Sequence, residues 1–86
     1  MHKIVGINLN GTVKNVTIIP EHWNHGQTGF ENADVYLIIE SDTEKHLASL
    51  CFTEDKSDWE MNSDLDLDTE YEIVNFIKSQ SPLTSL

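Results

Sequence analysis

The sequence predicts a small α+β domain in the order β-β-β-β-α, with one helix packed on a face of a four-stranded antiparallel sheet. Three observations support this prediction: a hairpin signal near the N-terminus, an alternating apolar hairpin over residues 35–53, and an amphipathic helix after an acidic segment. The length of 86 residues suits one domain with one modest core. We expect that domain to cover residues 1–79 and a Ser-rich tail over residues 80–86 to fray.

The first hairpin is predicted from Lys3 to Leu9 and from Thr12 to Ile19, on either side of the dipeptide Asn10-Gly11. Asn and Gly accept the positive φ angles of a tight turn. The register stays open at this point. A two-residue turn pairs Val5 with Val16, whereas a bulged three-residue loop shifts the pairing by one residue.

A loop is predicted over residues 20–34, where neither a strand period nor a helix period is visible. Pro20 is expected to end the second strand because proline has no amide to donate. Trp23 and Phe30 need cover inside this loop. We expect at least one of them to tuck against an edge of the sheet.

The second hairpin is predicted from Val35 to Glu40 and from Lys45 to Thr53. Its first strand is apolar on both faces, which is typical of a central strand covered on each side. The only cysteine, Cys51, lies in the second of these strands and is interpreted as an inert core thiol.

A helix is predicted over residues 68–79. Thr69 and Glu72 match a capping box, with Thr69 as the N-cap residue. An apolar stripe at three- and four-residue spacing then marks the side that packs on the sheet. It consists of Ile73, Val74, Phe76 and Ile77.

The net charge of −10 is concentrated in the second half of the chain. Residues 1–33 are neutral, whereas Glu54 to Glu72, hereafter the acidic segment, holds nine Asp and Glu residues against Lys56 alone. A field of this sign repels nucleic acid and anionic lipid and attracts basic proteins or cations. The charge therefore predicts a basic protein partner, with no direct nucleic-acid contact and no membrane contact.

Helix chemistry explains part of the acidic segment, because carboxylates from Asp66 onward lie near a helix N-terminus. The rest is interpreted as an interaction face. If residues 64–68 are extended, carboxylates repeat every ~6.6 Å along one side, close to the ~6.8 Å advance of two DNA phosphates. Trp59 is either a contact residue or a core anchor. The predicted partner-binding residues are Glu54, Asp55, Asp58, Trp59, Glu60, Asp64 and Asp66.

Two patterns in the sequence have the spacing of metal ligands, and neither predicts a metal or another cofactor. Asp64, Asp66 and Asp68 have the spacing of an EF-hand loop, but Thr69 stands where that loop needs glycine. His22 and His25 lie three residues apart, yet a zinc site needs three or four protein ligands. Incidental histidines in a polar loop are the better interpretation of this pair.

The leading functional prediction is a small acidic binding or inhibitor protein, not an enzyme, which engages a basic nucleic-acid-handling protein such as a nuclease. It would imitate phosphates or cap a cationic groove, as a phage anti-defence protein, an immunity protein or an antitoxin does; this role is assigned by class only. The alternative is a small cation- or ligand-binding domain that uses the 20–34 loop, and a third possibility is a module that pairs through a sheet edge. The lone cysteine and the lack of a long apolar run predict a cytoplasmic protein.

Overall fold

The computed structural model describes residues 2–24, 26–53 and 56–80. It confirms an α+β fold with one antiparallel sheet and a C-terminal helix, but the sheet has five strands and not four. Neighbours in sequence are neighbours in the sheet, in the order β1-β2-β3-β4-β5. The elements are β1 (Lys3–Leu9), β2 (Thr12–His22), a 3-10 turn (Phe30–Asn32), β3 (Val35–Glu40), β4 (His46–Phe52), β5 (Trp59–Ser63) and α1 (Leu67–Ser79). The predicted tail lies outside the described residues except for Gln80, the C-cap of α1.

The first hairpin closes through the two-residue turn. Asn10 and Gly11 both have positive φ angles, 55° and 87°, as a type I′ turn requires. Val5 consequently pairs with Val16, which settles the register. The second hairpin, β3 with β4, follows its predicted course to within one residue at each end.

The strand β2 does not end at Pro20, so that prediction is wrong. It runs on to His22, with Pro20 opposite Tyr36 and an irregularity between Pro20 and His22. Even-numbered residues of β2 turn their backbone groups toward β1, and the pairing with β1 stops at Ile18. The missing amide of Pro20 therefore removes no ladder hydrogen bond.

The core lies between α1 and one face of the sheet, hereafter the helix face. The largest fully buried side chains are Tyr36, Ile7, Ile18, Ile38, Leu50, Ile73, Ile77, Val16 and Val74. Phe30 is buried as well, with its ring 5.4 Å from that of Tyr36 and 6.4 Å from that of Phe76. It lies on the helix face and not at a sheet edge, while the half-buried Trp23 donates its indole N–H to the carbonyl of Gly29.

The opposite face of the sheet, hereafter the outer face, corrects two expectations. Val35, Leu37 and Ile39 point to this face and are only half-buried, because no described element lies over it. The central strand β3 is thus covered by the helix on one side alone. Cys51 is exposed on the outer face and is not a core thiol.

The helix begins at Leu67, one residue before the predicted start, and its N-cap lies three residues before the predicted cap. Asp66 is the N-cap, and its carboxylate accepts the amide of Thr69 at 2.9 Å. Thr69 is buried in the first turn, where its hydroxyl donates to the carbonyl of Asn8 in β1 at 3.1 Å. No helix within the described ranges is long and apolar enough to cross a membrane.

Candidate functional site

The predicted contact residues lie along the last strand and the start of the helix. Asp58 precedes β5, Glu60 lies within it, and Asp64 and Asp66 follow it; all four side chains are exposed. Trp59 is the first residue of β5. Glu54 and Asp55 lie outside the described residues. We use the term β5 edge for the strand Trp59–Ser63 together with Asp58 and Asp64.

The sequence did not predict the strand β5, because its acidic residues obscured the alternation of half-buried and exposed positions. Trp59 and Met61 are half-buried toward the helix face, whereas Glu60 and Asn62 are exposed. This is a period-two pattern, and it is the signal that would have found the strand. The antiparallel pairing sets Glu60 opposite Cys51 and Met61 opposite Leu50, so the middle of the acidic segment is an edge strand and not a loop.

Trp59 is partly a core residue and partly a surface residue. Its ring packs against the buried cluster and meets Tyr71 of α1 edge to face, with the ring centroids 5.5 Å apart. Tyr71 keeps 47% of its surface exposed. The two rings form an aromatic ledge, Trp59 with Tyr71, on the helix side of the β5 edge. Such pairs add about 0.5–1.5 kcal/mol beyond the burial of their area.

Lys56 anchors the connection that leads into β5. Its ammonium donates to the carbonyl of Ala33 and lies 4.4 Å from the ring centroid of Phe52 and 5.4 Å from that of Tyr36. Burial lowers the pKa of Lys56, and the carboxylate of Asp34 partly opposes that shift. The one cation of the acidic segment is therefore turned into the fold and does not neutralise its surface.

Several carboxylates have a structural partner. Hydrogen bonds from Thr69 hold the pKa of Asp66 below its ordinary value, and Glu70 accepts the hydroxyl of Ser63 at 2.5 Å. Asp58 accepts the amide of Trp59 at 2.8 Å. Elsewhere Glu40 pairs with Lys14 at 3.4 Å.

Four other acids in the acidic segment have no such partner. Within the described ranges, no hydrogen bond or ion pair reaches their side chains: Glu60, Asp64, Asp68 and Glu72. All four side chains are exposed, and an excess of like charge opposes folding. Asp68 lies in the first turn of α1, where the helix dipole favours a carboxylate. The stability of the fold does not explain Glu60, Asp64 and Glu72.

Sequence reasoning missed the helical part of this surface. Leu67 and Tyr71 lie four residues apart, so they share one side of α1 and are both exposed, Leu67 at 60%. Asp68 and Glu72 form the neighbouring row and are exposed as well. The signal was available, because these positions fall off the apolar stripe that packs on the sheet.

The spacing argument for phosphate mimicry is wrong in its geometry. Residues 64–68 are not an extended strand, because Asp64 and Leu65 form a bend and the helix starts at Leu67. Leu67 faces solvent and not the core. The extended strand on which that spacing argument rests is therefore not formed by residues 64–68.

The 20–34 loop is held by polar contacts around Asp34. Its carboxylate meets His22 Nδ1 at 2.8 Å and accepts the side-chain amide of Asn24 at 2.7 Å. Burial opposes the ionisation of Asp34, yet the contacts with His22 and Asn24 leave its pKa lowered. His25 lies outside the described residues. In the rest of the chain that the structure describes, no three metal-binding side chains converge.

Comparisons of this chain with known proteins found no relative. Models of protein families, curated protein sequences and solved structures each give no match to this chain.

Proposed function

We propose that this protein is a small acidic binding module that engages a basic, nucleic-acid-handling protein through the β5 edge and the adjacent exposed side of α1. The role is binding or inhibition and not catalysis. The observation that carries the proposal is a set of four exposed carboxylates that have no hydrogen-bond or ion-pair partner among the described residues: Glu60, Asp64, Asp68 and Glu72. Their repulsion is relieved when a cationic surface covers them.

The aromatic ledge supports the same proposal. Interfaces concentrate their binding energy in a few aromatic and arginine residues that are ringed by weaker polar contacts. Trp59 and Tyr71 supply the aromatic centre, and Leu67 extends it by one helical turn. Arg and Lys side chains of a partner can lie over the face of Tyr71 while their charges reach the surrounding carboxylates.

The test compares two variants that each lose three negative charges. The first carries Asp58→Asn, Glu60→Gln and Asp64→Asn, and the second carries Glu21→Gln, Asp42→Asn and Glu44→Gln. All six residues are exposed. A basic partner captured from a lysate of the native host is purified, and its affinity for each variant is measured at about 0.1 M and about 1 M salt.

We expect the first variant to bind at least about tenfold more weakly than wild type at low salt, and the second to bind like wild type. High salt should remove most of the difference, because screening weakens exposed charges. Displacement of nucleic acid from the partner by the wild-type chain would support the nucleic-acid-handling part. Equal affinities for both variants, or an affinity indifferent to salt, would contradict a charge-driven interface.

A further inference from the structure

The free side of β5 exposes backbone groups that are ready to pair. The amide of Thr53 donates to the carbonyl of Asp58 at 3.0 Å, and in an antiparallel ladder the direction of these groups alternates. Glu60 and Asn62 therefore direct their N–H and C=O groups toward β4. Met61 and Ser63 direct theirs away from the sheet, and no described strand pairs with them.

We propose that the β5 edge binds an extended basic segment of the partner protein as a sixth strand of the sheet. This inference rests on the proposed function and gives it a binding mode. Addition of a strand to an open edge takes affinity from main-chain hydrogen bonds and specificity from alternate side chains. The unpaired backbone groups of Met61 and Ser63 would form the main-chain hydrogen bonds, and the acidic side chains would select a basic strand.

The side chains of the edge specify an alternating sequence. A residue opposite Glu60 would lie on the outer face, with its side chain close enough to form a cross-strand ion pair. A residue opposite Met61 would lie on the helix face, beside the aromatic ledge. Asp58 and Asp64 extend the acidic row at both ends. The preferred segment thus alternates Lys or Arg with apolar residues.

Charge on an edge strand is also a common device against aggregation. Repulsion between the acids of two copies opposes pairing of this chain with itself through β5. It does not oppose pairing with a strand of opposite charge, whose ion pairs replace the repulsion. The same residues therefore disfavour a second copy and favour a basic segment.

Selective N-methylation tests this binding mode. The probe is a fluorescent peptide of alternating Lys and Val, long enough to span residues 58–64. In the proposed register its Val amides face β5 and its Lys amides face solvent. One peptide is methylated on the Val nitrogens and its isomer on the Lys nitrogens, so composition and charge are identical. Affinities are measured by fluorescence anisotropy.

We expect methylation of the Val nitrogens to weaken binding at least about tenfold, since more than one hydrogen bond is lost, and methylation of the Lys nitrogens to have little effect. The variant Met61→Pro removes an outward amide from the protein, with Ile4→Pro at the opposite edge as its control. Met61→Pro should weaken binding about fivefold or more, and Ile4→Pro should not. Circular dichroism verifies that both variants fold.

Equal affinity for the two methylated isomers would overturn strand addition. In that case, weaker peptide binding by the triple variant Asp58→Asn, Glu60→Gln, Asp64→Asn than by wild type would still support an acidic binding surface, without strand addition. If that variant bound as tightly as wild type, the proposed function itself would fail. The two results are therefore distinguishable.

Discussion

The two edge strands of the sheet, β1 and β5, differ in the contacts that their outward backbone groups make. The helix α1 approaches β1 more closely than any other strand. The hydroxyl of Thr69 donates a hydrogen bond to the carbonyl of Asn8, and the ammonium of Lys3 donates to the side-chain oxygen of Gln80 at 2.8 Å. At β5 the backbone of Met61 faces outward with no described partner, between exposed acids. The helix contacts both edges through side chains, but among the described residues it bonds the backbone of β1 and not that of β5. Substitutions at β1 and in the core should therefore affect stability, and those at β5 should affect binding.

The largest effect is expected where the helix is anchored. Ile73 is fully buried in α1, so Ile73→Ala should lower the free energy of unfolding by about 2–5 kcal/mol through lost burial and a cavity. Urea denaturation measures the loss. The affinity of the folded fraction for the Lys-Val peptide should not change, and a parallel loss of affinity would mean that the two edges are not independent.

A smaller effect, on binding, is expected from the aromatic ledge. Tyr71→Ala removes the exposed ring that meets Trp59 and should weaken peptide binding about tenfold, as loss of an aromatic interface residue does. Glu72→Ala, on the neighbouring row, should weaken it less. Anisotropy titrations compare the two variants, and an unchanged affinity for Tyr71→Ala would remove the ledge from the proposed surface.

A modest loss of stability is expected when the hydrogen bond between α1 and the β1 edge is removed. Thr69→Val keeps the shape of the side chain and removes the hydroxyl that donates to Asn8. We expect a cost of about 0.5–1.5 kcal/mol in unfolding free energy, because Asn8 is exposed and water can replace the donor. Thr12→Val, at an exposed position at the start of β2, is the control. Equal losses for Thr69→Val and Thr12→Val would argue against a specific role for the hydroxyl.

The smallest effect is expected in the pH dependence of stability, through the N-cap residue Asp66. Hydrogen bonds from Thr69 lower the pKa of Asp66 from its ordinary 3.8, so its contribution to stability is present above pH 3.8 and is lost as the pH falls through the lower folded value. Thermal midpoints of wild type and Asp66→Asn should therefore converge as the solution is acidified. A midpoint difference that stays constant as the solution is acidified would contradict the role of the Asp66 carboxylate as the N-cap acceptor.

Local signals predicted the elements whose backbone conformation is determined by neighbours in sequence. The Asn10-Gly11 turn and the alternation of β3 gave both hairpins, and the apolar stripe gave the helix. The start of the helix was predicted to within one residue, but its N-cap could not be, because Asp66 and Thr69 are both good N-caps three residues apart. Only the packing of Thr69 against Asn8, distant in sequence, decides between them.

The parts of the candidate surface that the sequence did not predict depend on contacts between residues distant in sequence. The acids Asp58, Glu60 and Asp64 were predicted from charge alone, and the structure places them along one edge. Their relation to Tyr71 depends on how α1 crosses the sheet, which no local pattern encodes. The identity of β5 as an edge strand likewise depends on the order of all five strands.

Amide hydrogen exchange, followed by nuclear magnetic resonance with and without the Lys-Val peptide, compares the two edges most directly. Met61 and Ser63 report on β5, and Ile4 and Gly6 hold the corresponding outward positions on β1. The account predicts that peptide binding slows exchange at Met61 and Ser63 and leaves Ile4 and Gly6 unchanged. Slowed exchange at Ile4 and Gly6, or at neither pair while the peptide is bound, would contradict it.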